Sequence, residues 1–113
     1  MKDAVFTHNH PGGNSFSPED IYLAAVYDIA EIRVVGKKYR HRLVRPAAGW
    51  SEQFWRSTIR PSLRKHQEDV TAELNDAIYK GRMTAEEAEQ QYWHEIWSRV
   101  AKEIGFIYVR TEW

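Results

Sequence analysis

A change in hydrophobic period near residue 46 is the strongest constraint on what this chain can fold into. Before it, short β-type runs flank one helical segment; after it, apolar residues recur mainly at helical spacing. Residues 4–9 read as a strand entering a turn at Pro11-Gly12-Gly13-Asn14. Ser17-Pro18-Glu19-Asp20 marks a helix start: Ser17 suits the N-cap, Pro18 the first helical position, and Asp20 lies where its charge favours the helix N-terminus. Ile21, Ala24, Ala25 and Ile29 keep the 3.6-residue spacing, which predicts a helix over about 18–28. Residues 31–36 and 39–45 read as strands joined by a Gly36-Lys37-Lys38 turn, with Tyr39, His41 and Leu43 alternating against Arg40, Arg42 and Val44.

In the second half, 51–60 is a helical segment that Pro61 is expected to interrupt, and 62–80 is a second, with Leu63, Val70, Leu74, Ala77 and Ile78 on one stripe. Gly81 stops it. Thr84-Ala85-Glu86-Glu87 is a capping box that opens a third helix, 84–104, with Ala88, Tyr92, Ile96, Val100 and Ile104 at the helical period and Gly105 at its end. The two long helices, joined by so short a turn, should form an antiparallel hairpin. Residues 106–110 are a last β-type run that can join the sheet. The expectation is one α+β domain over 1–113: a small mixed sheet covered by one helix, with a helical extension over 47–113.

At 113 residues the chain supports one core, and 15 aromatics with 42% apolar residues fit a packed globule rather than a disordered chain. Met1 to Phe6 leads straight into polar residues without the apolar stretch of a secretory signal, and no run is long enough to span a bilayer, so no membrane partner and a cytoplasmic location are expected. The absence of Cys excludes disulfides and thiolate chemistry, leaving His, carboxylate and water as metal ligands. Net charge is zero but unevenly placed: residues 33–65 hold ten Lys/Arg against Glu52 alone, whereas 68–103 hold nine acids against four bases. Such a basic block either pairs with acidic residues, within the chain or between chains, or binds phosphate; Lys37, Lys38, Arg40, Arg42 and Arg45 are the candidates for nucleic-acid or anion binding.

The stretch from Thr7 to Asp20 carries the chemistry. In an extended strand His8 and His10 point to one side with Cα atoms about 6.6 Å apart, close enough to share one Zn²⁺ at roughly 2.0–2.1 Å per bond. Asp20, on the first turn of the following helix, can swing back as a third ligand, leaving the fourth position open to water, as in catalytic sites. Ser17-x-x-Asp20 is equally well explained as a helix cap. His41, His66 and His94 read as sheet or packing residues, and Trp50, Trp55 and Trp113 would stack bases only if exposed.

The pattern His8-Asn9-His10-Pro11 followed by Ser17-x-x-Asp20 resembles the JAB/JAMM metalloprotease signature in its RadC-type form. The resemblance implies His8, His10 and Asp20 as zinc ligands and Ser17 as the catalytic-site residue that steadies the water or an oxyanion. The chain departs from it in a gap between His10 and Ser17 about one residue short, and in lacking an earlier strand to carry the family's general-base Glu. Positioned proton transfer is commonly worth about 10²–10⁴ in rate; Glu31, Glu95 and Glu112 are the conceivable substitutes. Nearly the whole chain, from Phe6-Thr7-His8-Asn9-His10-Pro11 to His94-Glu95-Ile96-Trp97 and Ile107-Tyr108, also resembles the C-terminal domain of phage head-morphogenesis proteins of the Mu F-like, minor-head type. Three functions follow as expectations: a phage-type zinc-binding domain with peptidase or isopeptidase action; a non-enzymatic phage assembly or host-factor-binding module, with a protein partner or a homodimer; and a metal-dependent nuclease or nucleic-acid binder.

Overall fold

A computed structural model describes residues 4–9 and 14–112. Four strands form one mixed sheet in the order β1-β2-β3-β4: β1 (Val5–Asn9), β2 (Glu31–Val35), β3 (Tyr39–Val44) and β4 (Ile107–Glu112). β1 and β2 run parallel, joined through α1 (Pro18–Val26); β2, β3 and β4 are antiparallel neighbours. A parallel pair needs a crossover, and the short, Ala-rich α1 provides it by packing Ile21, Ala24 and Ala25 into the core. α1 stops short of the expected residue 28: Tyr27 is its C-cap, and Asp28 follows in the left-handed region at φ 51°.

The strand register sorts the sheet into two faces. His8, Val34, His41 and Arg110 share one rung of the helix-covered face, and Phe6, Ile32, Leu43 and Tyr108 share the next. The opposite face carries Thr7, Arg33, Arg42 and Val109 on one rung, with Val35, Arg40 and Thr111 on the rung beside it. The final β-type run thus becomes the strand next to β3, over 107–112 rather than 106–110.

Pro61 does not interrupt the helical half. Ser51 caps a single turn, α2 (Glu52–Phe54), by accepting from the Phe54 backbone N–H at 3.1 Å; a π-helical turn over Trp55–Ile59 then leads without a break into α3 (Arg60–Tyr79). A proline lacks the N–H and crowds the carbonyl four residues back. The wider π turn accommodates it, with the Arg60 N–H bonding to the Trp55 carbonyl. α4 (Ala85–Ile104) starts at the expected Thr84 capping box, closed both ways with Glu87, and ends at Gly105, whose φ of 97° suits glycine. α3 and α4 pack as the expected hairpin. The core runs from Phe16, Ile21 and Ile29 through Ile32, Val34 and Leu43 to Ile59, Ile96 and Trp97. Trp97 is wholly buried and donates through Nε1 to the Phe16 carbonyl at 2.7 Å, which fastens the segment before α1 to the hairpin. No helix among the described residues is long and apolar enough to cross a membrane.

Candidate functional site

Two of the three expected metal ligands meet. His8, near the end of β1, places Nδ1 3.3 Å from Oδ1 of Asp20 on the first turn of α1, with side-chain exposures of 41% and 13%. β1 carries the histidine and the Ser17-capped start of α1 carries the aspartate. His10, the third expected ligand, lies outside the described residues. Among the described residues no group of three or more His, Cys, Asp or Glu stands together as a cation cage.

Asp20 serves the helix as well as His8. Its Oδ2 accepts from the Ser17 backbone N–H at 3.0 Å, while Ser17 Oγ accepts from the Asp20 N–H at 3.3 Å, a complete capping box. The cap therefore fixes the carboxylate, leaving its second oxygen toward the histidine. Ser17 Oγ still has its proton to donate.

Behind this corner, a hydrogen-bonded chain ties the preceding segment to the rest of the fold. Ser15 Oγ lies 2.7 Å from the Tyr108 hydroxyl, which lies 3.0 Å from His94 Nδ1. Burial holds the His94 pKa down to about 4, with the nearby Arg110 guanidinium adding to the effect, so the ring is neutral at pH 7. Burial also raises the Tyr108 phenol well above its ordinary value. In the arrangement consistent with both, Ser15 donates to Tyr108 and Tyr108 donates to His94. His41, buried to 1% exposure, stacks on the Tyr108 ring at 6.3 Å between centroids. The contact between Ser15 and Tyr108 was not legible in the sequence because 93 residues separate them.

The acids considered as general bases lie elsewhere. Glu31 occupies the uncovered face of the sheet, opposite to His8, and binds Arg33 and Arg42. Glu95 is 3.8 Å from Arg99, and Glu112 is in register with Tyr39 at the end of β4.

The basic candidates divide among three places. Arg40 and Arg42 line a depression of about 480 Å³ on the uncovered sheet face, together with Arg33, which the sequence had not singled out. Lys37 and Lys38 sit in the β2–β3 turn, Lys38 Nζ 5.3 Å over the Tyr39 ring. Arg45 instead holds the turn after α1, through Nη1 to the Asp28 carbonyl at 2.8 Å and to its carboxylate at 3.2 Å. Trp50 and Trp55 are core residues at 5% and 8% exposure, so neither offers a base-stacking surface, and Trp113 lies outside the described residues. Comparison with protein-family models, with characterised proteins and with solved structures returns no match.

Proposed function

We propose that this chain is a JAB-like, phage-type metal-binding domain in which His8, His10 and Asp20 hold a zinc ion. The observation that carries the reading is the approach of His8 and Asp20 to 3.3 Å across the strand–helix corner, with Asp20 oriented by its own helix cap. An imidazole and a carboxylate suit zinc, and both are partly open to solvent. Bound zinc would supply an acidified water. Ser17 would orient a polar group at that corner through its hydroxyl, and Asp20 would accept from the Ser17 N–H throughout.

The position of Glu31 on the opposite face favours binding over rapid hydrolysis, since the pair has no such proton acceptor beside it among the acids named above. A second reading, a non-enzymatic phage assembly or host-factor-binding module in which the His8–Asp20 corner serves only as scaffold, draws on the same observation. Elemental analysis of untagged protein dialysed against zinc tests the site: about one zinc per chain is expected, lost in His8→Ala/His10→Ala and weakened at least about tenfold in Asp20→Asn. Equal zinc in wild type and the double variant refutes the proposal. Peptidase assays on the zinc-loaded protein then separate the two readings.

A further inference from the structure

The uncovered face of the sheet gathers like charges that the strand register sets side by side. Arg33 and Arg42 stand directly opposite each other on adjacent antiparallel strands, a pairing of like charges that is normally unfavourable. Glu31, 9% exposed, draws both together, with contacts to their Nε atoms at 2.5 and 3.0 Å. Burial pushes this carboxyl upward, but the hydrogen bonds from the two arginines outweigh it and leave it below its ordinary value. A single carboxylate cannot occupy the five N–H donors of each guanidinium. Arg40, on the adjacent rung of β3, brings a third guanidinium to the same depression, which Thr7 and Thr111 flank from the outer strands.

We propose that this depression is a binding site for a phosphate group, gripped by Arg33, Arg40 and Arg42 with the Thr7 and Thr111 hydroxyls at its sides. Glu31 can neutralise only one of the two guanidiniums it holds, which leaves Arg33 and Arg42 together with a surplus of positive charge suited to a phosphate group. Glu31 holds two guanidiniums in place beforehand, and guanidinium geometry suits bidentate contacts to phosphate oxygens. The phosphate can belong to a free polyphosphate-type compound or to a nucleic-acid backbone. In either case recognition is through the phosphate: among the described residues, the aromatic side chains of the strands, Phe6, Tyr39 and Tyr108, belong to the other face.

Titration with inorganic tripolyphosphate, and separately with a twelve-residue oligothymidylate, followed by NMR of backbone amides and arginine Nε–H groups, tests the site. Saturable shifts at Arg33, Arg40 and Arg42 are expected from at least one probe. The apparent Kd should rise at least about tenfold in Arg40→Gln and also in Arg42→Gln, which leaves Arg33 to neutralise Glu31. Response to tripolyphosphate assigns free phosphate compounds as the ligand class. Response to the oligonucleotide alone, weakening steeply with salt, assigns a polynucleotide backbone. Absence of a saturable response to both probes, or unchanged affinity in both folded variants, overturns the proposal.

Discussion

The neutral His94 makes a quantitative demand on how stability depends on pH. In the unfolded chain this imidazole titrates near 6.5; in the fold, burial and the Arg110 guanidinium hold it at about 4. Between those values the unfolded state binds more protons, so the contribution is fully present above about pH 6.5 and is lost as pH falls toward about 4. A displacement of that size corresponds to about 3 kcal/mol for a fully shielded ring, and about 2 kcal/mol once partial access of water is allowed for. Urea unfolding of wild type and His94→Gln at intervals from pH 7 to pH 4 isolates the effect, because the carboxylates titrate alike in both proteins. Wild type should lose about 2 kcal/mol more than the variant across this range. Equal losses, or an NMR titration of His94 with a midpoint near 6.5, would refute the assignment of a buried, neutral ring accepting from Tyr108.

Trp97→Phe removes the donor to the Phe16 carbonyl while keeping much of the ring volume, and should cost about 1–3 kcal/mol in denaturant unfolding; a loss below about 0.5 kcal/mol would mean the bond is not made. Ser17→Ala abolishes one half of the α1 capping box and should destabilise by about 1 kcal/mol, read as a lowered midpoint with an unchanged m-value. Gly105→Ala, at φ 97° with open space around the position, should cost about 1–2 kcal/mol from backbone strain alone, measurable by thermal unfolding. Glu31→Gln leaves Arg33 and Arg42 opposed without a counter-charge; its stability should fall and then recover partly on adding salt, which a purely steric defect would not do.

Features encoded locally were legible in the sequence. The Thr84 box and Gly105 bound α4, Ser17 caps α1, and Gly36 marks the β2–β3 turn, because each acts within a few residues of itself. Pro61 misled because its local effect is to end a helix, whereas the packing of Trp55 and Ile59 carries the helix past it through a wider turn. Arg33 joined Arg42 only once the β2–β3 register was fixed, and a slip of one residue would have put it on the other face. Of the candidate site, the His8–Asp20 approach followed from the strand–loop–helix order. Ser15, Tyr108 and His94 required knowing that β4 lies against β3.

β1 and β4 are the two edges of the sheet, and β1 is held by the shorter ladder, five parallel pairs to β2 against six antiparallel pairs between β4 and β3. A strand tethered along a single seam is where amide exchange begins. An ion gripped by His8 and Asp20 would therefore rivet the loosest hem of the fabric to its neighbouring helix, and chelation would unpick that border first while the helical hairpin stays closed.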